Sequence, residues 1–283
     1  MIRSGNWKVF FKIKDERRAI QILKAVEKEK SALERFFNIS MDEPVSIYLP
    51  ARRQDVSTLL GVVPPVWSGA LFVPSKKAIV LQKPEWQQGF QDPMQSLRHE
   101  MVHLALHLRF GKQSLPVFFQ EGLAEWLSGS SIGIQKGVLL ANAILAKRVI
   151  SFQEFPDLLQ FPPARAHLAY VESLTIVEYL HNHYLKSDEA WMAFLQSVEK
   201  DGFEKALQEV SGLDLVDFEI SWYRWMTGKY RWFVIFNLEN LIWVAMVMVL
   251  AGAIYAVRYR NKKRLQEMAD DELPFWDFDN EYD

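Results

Sequence analysis

Leu97-Arg98-His99-Glu100-Met101-Val102-His103-Leu104 is the stretch on which the fold turns. It reads H-E-x-x-H inside an apolar-periodic helical run. Residues four apart on a helix differ in heading by only about 40°, so the two imidazoles share one face. Each can offer a ring nitrogen to a Zn²⁺ about 2 Å away. Glu100 follows His99 directly, where a carboxylate can act as general base on water beside such an ion. Two surface histidines also reach this spacing by chance, so the residues downstream carry the decision.

A zinc site that does chemistry needs three protein ligands and one open position. The chain has no cysteine, which removes thiolate ligands and disulfides together. Its six histidines are His99, His103, His107, His167, His181 and His183. The extended pattern H-E-x-x-H-x-x-G-x-x-H is excluded, because Leu106 and Arg109 stand where its Gly and last His belong. His107 lies one further turn along the same helix, and three consecutive turns do not easily surround one tetrahedral ion, so a packing role is expected for it. The third ligand is then His, Asp or Glu from elsewhere. Glu121 is the better candidate. It lies on a separate helix, with Glu125 one turn further along the same face. Val117, Phe118, Phe119, Leu123, Ala124, Trp126 and Leu127 make that helix mostly apolar, and buried carboxylates need partners or metal. One carboxylate can bind zinc while the other accepts a hydrogen bond from the outer N–H of a ligand imidazole. Gly122 between them allows another backbone to approach closely.

Working outward, the 283 residues suit one large or two small domains, and 19 Phe, 10 Trp and 9 Tyr can fill a sizeable core. A net charge of −2 offers no reason to expect nucleic acid. Trp7, Val9, Phe11 and Ile13 have the period of a half-buried strand, and no signal-peptide apolar run precedes them. A helical stripe follows to Phe37, with Asp15 as its N-cap. Val45 to Leu49 reads as a strand, residues 51–69 as a mixed loop punctuated by Gly61, Pro64, Pro65 and Gly69. Ala70–Val73 and Ala78–Leu81 read as a strand pair. A strand arriving shortly before the zinc-binding helix can form the edge of a cleft on which an extended peptide pairs. Asp92 and Pro93 start that helix and Gly111 stops it. Further helices are expected at 137–148 and 164–185, and two more within 188–227. His181 and His183 are expected at the surface.

Composition changes after Tyr230. Leu241 to Val257 is uncharged, Trp232 and Trp243 lie toward one end, and Tyr255 and Tyr259 toward the other. Such a run is expected to cross a membrane once. Arg258, Arg260, Lys262, Lys263 and Arg264 follow and place that end in the cytoplasm by the positive-inside rule. The catalytic domain is then extracytoplasmic. That conflicts with the lack of a visible signal peptide, and a leader preceding Met1 is the preferred resolution. Asp270 to Asp283 reads as a disordered acidic tail. The expected division is 1–228 catalytic domain, 229–258 transmembrane helix, and 259–283 charged tail.

R-H-E-M-V-H followed by L-P-V-F-F-Q-E-G-L-A-E-W resembles the gluzincin metallopeptidases, closest to the peptidase MA-like group. The resemblance is strong over 97–128 and extends over about 70–185. Phe118 or Phe119 stands where many members carry Trp, a packing change. The resemblance implies His99, His103 and Glu121 as zinc ligands, Glu100 as base and Glu125 behind the ligands. It also implies an α+β, thermolysin-like zincin fold, mostly helical with a small N-terminal sheet, acting on a peptide or protein. Tyr170, in a Tyr-x-x-Ser segment, is the implied donor to the oxyanion, with His167 the other candidate. Two alternatives remain: a catalytically inactive zincin-like binding module, and a membrane-protein assembly factor working through 229–264. Oligomeric state is not legible.

Overall fold

The computed structural model describes residues 1–61, 68–83, 86, 92–111, 113–236 and 238–271. It divides into two compact units, Met1–Arg231 and Trp232–Asp283. The first unit is mostly helical with a small sheet at its N-terminal end.

That sheet has five strands in the order β1-β2-β3-β5-β4. β1 (Ile2–Ser4) and β2 (Trp7–Phe10) form a hairpin in which Ile2 faces Val9. Its turn holds Gly5 at a φ of +54°, a conformation that costs a glycine little. The N-terminal strand is therefore shorter than its alternation suggested. It stops at Phe10, and Ile13 sits 92% exposed in a 3-10 turn. The period-2 pattern ran past the last residue that has a strand to pair with. β3 (Val45–Tyr48) lies parallel to β2, and β5 (Ala78–Leu81) parallel to β3. β4 (Ala70–Val73) pairs antiparallel with β5 and closes the far edge.

The crossover between β2 and β3 is α1 (Glu16–Phe37), which buries Ala19, Ile22, Leu23, Val26, Leu33 and Phe37. These positions make one stripe at helical spacing. Asp15 precedes it but makes no side-chain cap bond. The stretch read as a mixed loop contains a helix, α2 (Arg53–Leu60). Asp55 accepts the Arg52 N–H at 3.0 Å and so closes its first turn. Residues 62–67, including Pro64 and Pro65, lie outside the described residues.

α3 (Pro93–Phe110) carries the H-E-x-x-H stretch. Asp92 accepts the Met94 N–H at 3.0 Å, Pro93 opens the first turn, and Gly111 at φ +60° ends the helix. Leu97, Met101, Val102, Leu104, Ala105 and Phe110 are buried. α4 (Val117–Leu127) then packs on α6 (Pro163–His183), with α5 (Ile134–Leu145) between them in sequence. At Gly122 the backbone of α4 approaches that of α6 closely. A Cβ there would overlap the Ser173 carbonyl oxygen and meet Val177 Cγ2 at 2.6 Å. The 188–227 region holds three helices rather than two: α7 (Asp188–Asp201), α8 (Phe203–Ser211) and α9 (Leu215–Tyr230). Gly202 at φ +89° and Gly212 at φ +72° make the breaks. Phe118, Phe119, Phe152 and Phe203 fill the space between these helices and α4.

In the second unit, a 3-10 stretch (Arg231–Phe236) precedes α10 (Leu238–Asp271). Within Ile242–Met268 this helix holds an 18-residue window of mean hydropathy 1.8, none of it buried, and by length and composition it can cross a membrane. The helix continues through Asp271, and residues 272–283 of the expected tail lie outside the described residues.

Candidate metal centre

α3 and α4 bring three donor atoms together. His99 Nε2 lies 3.1 Å from His103 Nε2 and 3.1 Å from Glu121 Oε2, and His103 Nε2 lies 3.4 Å from the same carboxylate oxygen. The histidines converge because they are one turn apart on α3. Glu121 converges because the Gly122 contact holds α4 in place while α4 also packs on α3. Donors about 2.1 Å from a tetrahedral ion are separated by about 3.4 Å, so this spacing fits a small cation. His103, His99 and Glu121 are the one such group among the described residues.

The opposite nitrogen of His99 is also engaged, with Nδ1 3.4 Å from Glu125 Oε1. With Nδ1 donating to Glu125, a neutral His99 would present Nε2 as its lone-pair nitrogen to the other donors. Glu100 is buried and turns toward the sheet, where its Oε2 accepts the backbone N–H of Phe72 on β4 at 2.6 Å. Tyr170 on α6 stands across the site, its ring centre 5.9 Å from that of His99. His167 lines the same cleft one turn earlier on α6. His107 lines it too, its ring centre 5.8 Å from Phe72 and outside the donor cluster. The cleft has a volume of about 680 Å³.

The environment separates the titratable groups. Burial disfavours charge on His99, yet Glu121 and Glu125 hold its imidazole well above the ordinary value. Burial likewise opposes ionisation of Glu121, but His103 and His99 hold it far below the usual carboxylate range. Glu125 is lowered against its burial by His99, then Ser130 and Lys136. Glu100 goes the other way: burial pushes it up, and the two imidazoles offset only part of that. Burial and then the carboxylates of Glu121, Glu100 and Glu125 push the Tyr170 phenol well above its ordinary value. It therefore remains a proton donor at neutral pH.

A family model described as the Peptidase MA superfamily matches residues 29–228. The chain belongs to the peptidase MA superfamily. A comparison with curated proteins gives no match. Peptidase MA members are generally metal-dependent, and their substrates are peptides or proteins. The match covers α3 to α6, the helices that carry His99, Glu100, His103, Glu121, Glu125 and Lys136 of the cleft.

Two features of this peptidase MA chain escape reading from sequence. The Phe72 donor is a backbone N–H, so no side chain advertises it. The one clue in the sequence is a strand placed shortly before the H-E-x-x-H helix. Ser130 and Lys136, which contact Glu125, lie in a loop and a first helical turn where polar residues are ordinary. His181 is corrected as well. It is half-buried, contacts Leu185 O at 2.8 Å and packs on Trp126 with ring centres 4.9 Å apart. It sits at the C-terminal end of α6, where α7 folds back over it. His183 is exposed, as expected.

Proposed function

We propose that this chain is a membrane-anchored, zinc-dependent metallopeptidase of the gluzincin, thermolysin-like type. The observation that carries the proposal is the convergence of His99 Nε2, His103 Nε2 and Glu121 Oε2 within 3.4 Å of one another, beside a buried Glu100. His99, His103 and Glu121 would hold a zinc ion, which would supply Lewis acidity to a peptide carbonyl and to water. Glu100 takes the proton of the attacking water and returns it to the departing amine. Its burial raises its proton affinity, which favours taking up that proton. Tyr170 donates a hydrogen bond to the oxygen on which negative charge develops, and its protonated phenol supports that role. Glu125 holds the His99 tautomer. The substrate lies extended along β4, the sheet edge that faces the cleft.

The membrane anchor is α10. Its 34 residues reach about 51 Å at 1.5 Å per residue, against about 30 Å of hydrocarbon. Arg258 to Arg264 place its C-terminal end in the cytoplasm and residues 1–228 on the other side. Protease added to intact cells should then digest the N-terminal unit, and full protection would reverse this orientation.

The test of the chemistry is Glu100→Gln in the full chain. Bound zinc, measured by elemental analysis, should stay near one per chain while peptide hydrolysis falls by about 10²-fold or more. Undiminished hydrolysis would remove Glu100 as base. Absence of zinc from the wild-type protein would remove the proposal.

A further inference from the structure

Glu125 is the contact behind His99, and something must in turn hold Glu125. Its Oε1 faces His99 Nδ1 at 3.4 Å. Its Oε2 accepts the Ser130 hydroxyl at 2.5 Å and lies 3.6 Å from Lys136 Nζ. A serine hydroxyl has one donor and two acceptor positions, and all three are used here. It donates to Glu125, and it accepts from Gln95 Nε2 at 2.7 Å and from Lys136 Nζ at 3.2 Å. The Ser130 backbone N–H also reaches Glu125 O, at 3.0 Å. The hub joins three separate pieces of chain: the first turn of α3, the loop after α4 and the first turn of α5.

Charge points the same way. The cleft gathers Glu100, Glu121 and Glu125, and among its described lining residues Lys136 is the one Lys or Arg. A lysine one step behind Glu125 holds its Oε2 on the far side, so that Oε1 stays turned toward His99 without a cation beside the donor atoms.

We propose that Ser130 and Lys136 are positioning residues which orient Glu125 against His99, so that the start of α5 sets the metal affinity of the site. The inference rests on the metal reading given above. It predicts that a change of side chain on α5, away from every donor atom, alters zinc binding.

The experiment measures zinc affinity of the full chain in detergent by competition with a chromophoric chelator. Ser130→Ala and Lys136→Met should each weaken zinc binding by roughly threefold to thirtyfold, somewhat less than the ~10–100-fold typical when a direct partner of a ligand imidazole is removed. Lys136→Arg should restore affinity to within about threefold. In a Glu125→Gln background, Lys136→Met should have no further effect, because its route to the metal is gone. The unfolding midpoint of the metal-free protein should not change, since a part-exposed ion pair adds little to stability. Wild-type affinity in both single variants would overturn the proposal. So would a full effect of Lys136→Met in the Glu125→Gln background, or a fall in metal-free stability large enough to explain the lost binding. Failure of the wild-type protein to bind zinc would instead overturn the metal reading itself.

Discussion

Glu100, Glu121 and Glu125 are the same residue type in one cleft, and their neighbours give them different tasks. Glu121 faces two imidazoles and stays ionised. Glu125 faces one imidazole, a hydroxyl and an ammonium group. Among the described residues, Glu100 has a backbone N–H at hydrogen-bond distance, and its burial raises its proton affinity. That N–H is open to a clean test. Phe72 sits on the edge strand, and its N–H goes to Glu100. Proline at an edge position loses no ladder bond when its nitrogen faces outward. Phe72→Pro should therefore cut hydrolysis by roughly 10–100-fold, the range of one charge-assisted hydrogen bond, with zinc content unchanged. Phe72→Ala keeps the N–H and should not share that loss. Equal kinetic losses in the two variants would show that the ring, not the donor, matters. A fourth glutamate carries a separate prediction. Glu172 is wholly buried, and burial pushes its proton affinity well up; the Ile150 N–H at 3.1 Å and the Arg165 charge offset only part of this, and Glu154 adds to the rise. Its folded-state pKa is raised, so its contribution to stability is fully present below the unfolded carboxylate value. It is lost as pH rises toward the folded value, at about 1.4 kcal/mol per unit of elevation. Glu172→Gln should stabilise the protein at pH 8 and have little effect at pH 4, read by chemical denaturation. A gain of equal size at both pH values would rule out titration as its cause.

At the scale of elements, the site depends on how near α4 lies to α6. The contact is backbone against backbone at Gly122 and Ser173. Gly122→Ala should therefore destabilise by about 1–3 kcal/mol, the usual range for overpacking. Adding Val177→Ala should not restore stability, because the Ser173 carbonyl stays in the way. Thermal unfolding of the two variants checks this, and full rescue would place the strain in the Val177 side chain instead. This contact was legible in the sequence because a glycine costs an apolar helix stability, and close approach of a second backbone offsets that cost. α3 was legible for a similar reason: Asp92-Pro93 and Gly111 mark both of its ends. Other elements lacked such marks. α2 has eight residues, too few to show a helical period, and it hid in a stretch flanked by Pro and Gly. The pair of helices expected across 188–227 became three because Gly202 and Gly212 act as stops at positive φ. Glycine in mid-pattern reads equally as a tolerated residue or a break until the chain's packing is known. Within the cleft, side chains with metal-binding chemistry were legible, whereas Ser130 and Lys136 acquire meaning only from where α5 begins.

For the whole molecule, the two units differ in what their surfaces ask of the solvent. In Met1–Arg231 the large apolar side chains are mostly inside: Trp7, Phe37, Phe119, Trp191 and Trp222 are all fully buried. In α10, Ile242, Val247, Val249 and Leu250 are more than 60% exposed. They lie on different headings round the helix, so burial of a single face would not cover them. Within 241–257 the eight Leu, Ile and Val residues contribute roughly 2–5 kcal/mol to insertion in a bilayer, whereas in water the same surface favours association. A chain ending at Arg231 should therefore be soluble and monodisperse without detergent, with an unfolding midpoint within a few degrees of the full chain. Conversely, residues 232–283 fused to a soluble reporter should carry it into the membrane fraction and keep it there through an alkaline wash. Release by that wash would mean that α10 lies on the surface rather than crossing it. Aggregation of the 1–231 fragment would mean that α10 covers apolar surface on the first unit, and the membrane reading would then lose its main support.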